Sequence, residues 1–417
     1  MSSLPARSTS TAMMAVAVLV GSAALPALAT FSGTAADDSG DSCDVVNADW
    51  TATARVDKDR TELFGDYGNS GVGWTGGDST YSVRQTSGRQ LWLFSDTFLG
   101  PVNDDLSRPI DTPFLNNSFI VQRGDELSTV TGGTPGDPDS LVPPDEPSTW
   151  NWLGAATGSP HFVDVMFLEF GAFGPGQWDW AWRENKLVRF DPDSYQVRDI
   201  VPMPSEAGVQ WASWIERFGE HTYIYGVEDH GLVKYMHLAR VAGADLTAPW
   251  EYWTGDGWSP IETDSVAITS GVANEYSVSS FHDGYLLVTQ DTNELFSRNI
   301  VGYVSCHPWG PFVPATTLYF APDGLGWDLP EPESQTPRGN GRAPSKAAQL
   351  VQGAVMAGVQ DANPNIITYN AHEHPELRRG NRLLITYNVN SLDPNVDLYA
   401  DVTIYRPRFV EVELSAG

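Results

Sequence analysis

Gly73-Trp74-Thr75-Gly76-Gly77-Asp78-Ser79-Thr80-Tyr81 leads, through the polar turn Thr86-Ser87-Gly88-Arg89-Gln90, into Leu91-Trp92-Leu93-Phe94-Ser95-Asp96-Thr97-Phe98. The run 91–94 is short, apolar and aromatic, the pattern of a buried strand bounded by turn residues. The simplest geometry is a hairpin with Asp78 on or just before its first strand and Asp96 at the end of its second. Two carboxylates then meet at one end of one sheet.

The same arrangement recurs downstream. Val163 to Leu168 runs into Glu169, Thr222 to Val227 into Glu228-Asp229, Tyr285 to Thr289 into Gln290-Asp291, and Leu383 to Tyr387 into Asn388. Four of the five runs follow a glycine turn, at Gly88, Gly219, Gly284 and Gly380. Ala248-Pro249-Trp250 and Gly310-Pro311-Phe312 mark loops after further strands. Helix signals are nearly absent; Ser345 to Gly358, small and Ala-rich, reads equally as a helix or as a strand with its loop. Strand hairpins repeated over this length predict an all-β, five-bladed β-propeller, with Tyr399 to Leu414 as its closing strand. Two packed β-sandwiches are the structural alternative.

Ahead of the repeats, residues 1–29 read as a signal peptide: Arg7, then an apolar stretch from Ala12 to Leu25, then Ala27-Leu28-Ala29 as cleavage site. Gly21, Ser22 and Pro26 interrupt the apolar stretch and argue against a retained membrane anchor. Cys43 has no lipobox before it. Residues 30–44 read as a flexible leader, and 45–417 as a single domain. Gly132 to Ser148, rich in Pro and Asp, is the best linker candidate but lies inside the repeats.

The chain has 24 basic and 53 acidic residues, a formal net charge of -29. That excludes the basic footprint nucleic-acid binding needs and suits solubility outside the cell and a neutral or cationic substrate. The only cysteines, Cys43 and Cys306, read as a disulfide in an exported protein rather than as a catalytic thiol. One His beside Cys306 is too little for a zinc site. No Ser-His-Asp, phosphate-loop, dinucleotide or Cys-x-x-Cys signature appears, so no cofactor is expected. A structural calcium in the channel is conceivable but has no motif behind it.

In a propeller the innermost strand of each blade lines a central channel, where polar residues of several blades converge. Asp78 and Asp96 are the expected acid pair. Asp96 follows Trp92 and Phe94, whose low polarity favours a proton donor, which leaves Asp78 as base or nucleophile. Trp74, Asn117, Trp152, Trp211, Glu275, Tyr276, Asn370, His372 and His374 are the expected substrate contacts, aromatic rings stacking on sugar faces. Each has a plainer explanation: a Gly-Gly-Asp-Ser turn for Asp78, a backbone contact for Asp96, solvation for Glu275 and blade packing for most aromatics. Two carboxylates on one hairpin are nonetheless the minimal equipment for glycoside cleavage.

Gly-Trp-Thr-Gly-Gly-Asp with Phe-Ser-Asp-Thr-Phe and Asn116-Asn117-Ser118-Phe119 resembles the opening of an actinobacterial five-bladed propeller family, domain of unknown function 4185, related to glycoside hydrolase family 183. Tyr223 to Asp229, Ala371 to Leu377 and Leu383 to Asn390 resemble its later blades. The resemblance implies an endo-D-arabinanase-like enzyme acting on the arabinan of mycobacterial cell walls, with Asp78 and Asp96 as acid pair. The sequence departs from that pattern in a long insertion over 125–150. The reading is therefore a secreted glycoside hydrolase acting on an extracellular polysaccharide; its rivals are a carbohydrate-binding propeller without turnover and a structural envelope platform. The mature protein is expected to begin close to Thr30. N-terminal sequencing of exported material checks this, and a chain retaining residues 1–29 would overturn it.

Overall fold

Five antiparallel sheets follow one another along the chain, each starting at its innermost strand. The coordinates are a computed structural model describing residues 43–176, 179–231, 233–294, 296–323 and 365–417. Blade one is built on Trp74–Arg84, Gln90–Leu99, Ser118–Arg123 and Glu126–Val130. Blade two contains Thr149–Gly158, Val163–Ala172, Trp180–Phe190 and Val197–Met203. Val209–Phe218, His221–Asp229, Lys234–Ala242 and Trp250–Trp253 form the body of blade three. Blade four comprises Ser277–Phe281, Gly284–Gln290, Asn299–Ser305 and Val313–Phe320. The fold is the five-bladed β-propeller the repeats imply.

Each apolar run singled out in the sequence is the second strand of its blade, sandwiched between the inner strand and the third. Double-sided burial explains their continuous hydrophobicity: all ten residues of Gln90–Leu99 are buried. Adjoining blades are also stitched by polar contacts. Leu153 N–H donates to Ser95 Oγ at 3.1 Å, Tyr276 OH to the Gly226 carbonyl at 2.9 Å, and Asn388 Nδ2 to Thr80 Oγ1 at 2.8 Å.

Ring closure differs from the expectation. The final strand is Arg408–Ala416, third in blade five after Ile366–Glu373 and Arg382–Ser391. Its outer neighbour comes from the other end of the chain: Trp50–Val56 pairs with it from Trp50↔Ala416 to Val56↔Val410. Residues 399–407 are not part of that strand; Pro394–Ala400 is a short helix. Cys43, at the end of the presumed leader, is bonded to Cys306 at the end of blade four's third strand, and Val45 is buried beside it. The leader's tip is thus part of the fold, while residues 1–42 and the candidate helix Ser345 to Gly358 lie outside the described residues.

A twelve-residue helix, Lys58–Asn69, follows the closing strand. Asp57 caps it, accepting the Arg60 N–H at 3.1 Å. Phe64 enters a cluster with Trp74, Trp92, Phe94 and Phe409. The segment Gly132 to Ser148 is no linker. It carries a small hairpin and buries Leu141 and Val142, whose backbone is held by the Asn117 side chain.

Deleting the chain through Val56 should abolish cooperative unfolding, because Arg408–Ala416 loses its partner and the ring its closure. The double replacement Cys43→Ser, Cys306→Ser should stay folded with a lower Tm, losing up to about 5–6 kcal/mol in the chain-entropy account for a loop of this length. Melting curves separate the two cases; a truncated chain that melts like the parent would argue against closure by this strand.

Candidate active site

The inner strands leave regular geometry where they face the channel. Register shifts interrupt Trp74–Arg84 around Ser79 and Ile366–Glu373 between Tyr369 and His372. At these points Ser79, Thr80 and Asn370 have φ of 66°, 60° and 57°, left-handed values costing on the order of 1–3 kcal/mol each for side chains other than glycine. Gly76 stands where the backbone of Tyr405 presses closest: a Cβ there would lie 2.5 Å from the Tyr405 carbonyl oxygen, which accepts the Gly77 N–H. The bulges turn Asp78, Ser79 and Asn370 towards one space.

That space is a cavity of about 800 Å³ at one end of the channel. Blade one supplies Asp78 and Ser79, blade two Trp152, blade three Gln210 and Ser213. Blade four adds Glu275 and Gln290, and blade five Tyr369 and Asn370. One side is aromatic, with Trp152, Phe170, Trp180 and Trp182 in its wall. Trp152 packs on Phe170 at 4.6 Å and edge-on to Trp180 at 5.5 Å.

Three carboxyl groups share a design: one oxygen is held by protein donors, while the other is buried without a partner among the described residues. Asp78 Oδ2 accepts from Tyr369 OH at 2.8 Å. Glu275 Oε1 accepts from Ser79 Oγ at 2.7 Å and from Asn370 Nδ2 at 2.8 Å. Asp96 Oδ1 accepts from Trp152 Nε1 at 2.7 Å and from Asn116 Nδ2 at 2.9 Å. Asp96 differs in position: it is 1% exposed and absent from the cavity lining, one layer behind Trp152.

Burial pushes Asp78 up to about 6, against the pull of the Tyr405 and Tyr369 hydroxyls, which favour its charged form. Burial raises Glu275 well above the usual carboxylate range; the Ser79 hydrogen bond opposes this and the Asp78 charge adds to it. Asp96 is likewise raised by burial and then by Asp78, with the Asn116 and Trp152 donors opposing. Asp78 is therefore the group that ionises first; burial holds the other two higher, and the Asp78 charge adds to that.

Of the expected substrate contacts, Trp152, Glu275 and Asn370 line the cavity. His372 lies just behind, stacked on Tyr81 at 4.5 Å with its Nδ1 3.9 Å from Glu275 Oε2. Burial pushes it down to about 4, so it is neutral near pH 7. The others belong to the core. Trp74 is fully buried against Phe64 and Phe94. Asn117 staples Val142 and the Asn151 carbonyl. Trp211 donates to Glu262 Oε1, Tyr276 to Gly226, and His374 sits between Ser82 and Thr386. For Trp211 alternation along Val209–Phe218 decides this: its neighbours Gln210 and Ala212 line the cavity while its own ring enters the sheet packing. Tyr369, offered by blade five beside Asn370, lines the cavity too, as do Ser79 and Gln290, which lie outside the expected contacts. Ser79 adjoins Asp78 in sequence, the one signal that could have found it. Among the described residues no group of three or more His, Cys, Asp or Glu is arranged to hold a metal ion.

Fold and site together define a five-bladed propeller with a carboxyl-lined cavity at its channel mouth. The chain belongs to the DUF5005 family, a domain of unknown function, whose profile matches residues 61–414. Among solved structures it is similar to a presumed hydrolase from Bacteroides ovatus, with TM-score 0.63 and 19% identity over 88% of this chain and 94% of that one, which supports the fold. Levansucrase of Bacillus subtilis (TM-score 0.43, 12% identity, covering 84% and 87% of the two chains) is more distant. So is the α-L-arabinofuranosidase of Podospora anserina in complex with cellotriose (0.41, 12%, covering 83% and 93%). Likenesses at that level carry no argument. No curated protein matches in sequence.

A buried carboxyl whose pKa is higher folded than unfolded binds more protons in the native state. Its contribution is fully present below the ordinary carboxylate range and is lost as pH rises through the folded value. Asp78 places one such loss between about pH 4 and about 6, and Asp96 extends it to higher pH. Asp96→Asn, which keeps the shape without a titrating proton, should flatten the fall of Tm with rising pH. Parallel pH–Tm curves for parent and variant would refute the assignment.

Proposed function

We propose that this protein is a secreted glycoside hydrolase in which Asp78 is base or nucleophile and Glu275 the proton donor. The observation that carries this reading is the pair of cavity-lining carboxyls held at different proton affinities. Burial raises both, but the Tyr405 and Tyr369 hydroxyls pull Asp78 back to about 6, whereas Glu275 stays well above the carboxylate range, with the Asp78 charge adding to its burial, conditions that favour a protonated acid beside a charged one. Each presents one unpartnered oxygen. The aromatic wall around Trp152 suits the apolar faces of sugar rings, and about 800 Å³ holds a short stretch of glycan.

Asp96 acts through Trp152 and Asn116, orienting the aromatic wall and supporting the Asp78 charge balance from behind. A second reading, Asp96 as the donor, is favoured by its own unpartnered Oδ2. The finer substrate reading, an arabinan of the mycobacterial type cut internally, rests on the resemblance to domain 4185 and glycoside hydrolase family 183. Export rests on the signal-peptide pattern and agrees with the Cys43–Cys306 bond.

Reducing-end release from a panel of arabinans, galactans and other wall glycans tests the activity. Asp78→Asn and Glu275→Gln should each lower turnover at least about 10²-fold while Tm and glycan retention stay near the parent's. Asp96→Asn should cost less than either. A larger loss in Asp96→Asn than in Glu275→Gln transfers the donor role to Asp96. Glycan retention without any reducing-end release would make the protein a binding propeller.

A further inference from the structure

Gln290 ends the second strand of blade four at the cavity wall and has no part in the acid pair. It is 5% exposed. Its amide nitrogen is spoken for: Nε2 donates to the carbonyls of Ser297 and Thr368, the latter at 2.9 Å, and to Thr368 Oγ1 at 3.1 Å. Two carbonyl oxygens around one atom fix which end of the amide is nitrogen, since Oε1 placed there would face both of them with only the Thr368 hydroxyl able to donate. The amide oxygen is therefore held on the other side, buried and without a donor among the described residues. Leaving such an acceptor unmade is costly, and a site that keeps one is built to take a donor from its ligand.

The surroundings define that donor. Asp78, Asp229, Glu275, Asp291 and Glu294 all line the cavity. Lys234, the one lysine or arginine among the described lining residues, is committed to Asp229 Oδ1 at 2.6 Å and to the Gly231 carbonyl at 2.8 Å. Asp229 is held on its other side by Asn274 Nδ2 at 2.7 Å. Among the described residues, a carboxylate or sulfate on the ligand would meet these carboxyl groups with no lysine or arginine left to receive it, and the lining histidine, His230, already has Glu228 Oε1 at 3.1 Å. A sugar hydroxyl supplies the missing proton at Gln290 and carries no charge.

We propose that Gln290 is a specificity-determining residue that accepts a hydrogen bond from a hydroxyl of the bound sugar, and that the cavity takes neutral glycans and rejects those bearing carboxylate or sulfate. This rests on the glycosidase reading above. It assigns recognition to blade four, whose Glu275 supplies the proton in that reading.

The test uses the full chain, two variants and a fixed panel: D-arabinan, L-arabinan, β-galactan and levan as neutral glycans, polygalacturonate and dextran sulfate as anionic ones. Reducing-end release and retention in affinity gels are both read. Gln290→Met removes the acceptor; Gln290→Lys also removes it but keeps N–H donors for the Ser297 and Thr368 carbonyls, so one variant remains informative if the other fails to fold. On the neutral glycan that is cut, KM should rise at least about tenfold, because a buried polar partner is left unpaired, with kcat changed much less. Polygalacturonate and dextran sulfate should be neither cut nor retained. A folded Gln290→Lys protein with the parent's KM overturns the role of Gln290. An anionic glycan cut or retained as well as the neutral ones overturns the charge selection while leaving the Asp78–Glu275 reading intact. If nothing in the panel is cut or retained, the glycosidase reading falls and this one with it.

Discussion

The pairing of Trp50–Val56 with Arg408–Ala416 is the constraint on which the rest depends. It joins the two ends of the chain in one sheet, so blade five exists only when both are in place. A closed ring fixes where the five inner strands stand, and their positions fix the cavity. Asp78 meets Tyr369, and Ser79 meets Glu275, only because blades one, four and five converge on one axis. The disulfide adds a clamp from the same N-terminal segment to blade four.

With positions set by the ring, the chemistry comes from local departures inside it. Left-handed Ser79, Thr80 and Asn370 are tolerated because the surrounding blades hold them. Their strain is what aims a hydroxyl and an amide at Glu275. Desolvation raises all three carboxyl groups, and Asp78, which the Tyr405 and Tyr369 hydroxyls pull back, is raised least. Similar logic leaves Gln290 with an amide nitrogen satisfied by backbone and an oxygen that is not.

Much of this architecture was legible before any coordinates. The second strands of all five blades announce themselves because both their faces are buried, so they read as unbroken apolar runs after turns. The hairpin carrying Asp78 and Asp96 has the expected geometry, with Gly77 opposite Thr97 across the strand pair. Trp50–Val56 was not legible as a strand: although inside the expected domain, it is an outer strand that alternates small and polar residues and buries only Trp50 fully. Lys58–Asn69 was hidden by Gly65 and Gly68, poor helix formers, although Asp57 gives a capping signal. Site residues were legible only in part, since Trp74 and Trp152 are both inner-strand tryptophans, yet register turns one into the core and the other to the cavity. His374 and Tyr276 stand just outside the inner strands, where their polar atoms are taken up by Ser82, Thr386 and the Gly226 carbonyl. Long-range register is not written in composition.

Joining the chain ends also sets an order in time. Trp50–Val56 leaves the ribosome early, and its partner follows roughly 350 residues later, about 20–70 s at synthesis rates of 5–20 residues per second. For that interval the N-terminal strand has no native ladder, while blades one to four can form behind it. An unpaired edge of this kind is where a foreign strand adds. Its Thr-Ala-Thr-Ala-Arg composition, weak in β-branched apolar residues and carrying a charge, keeps it a poor template for such pairing until the last residues of the chain arrive.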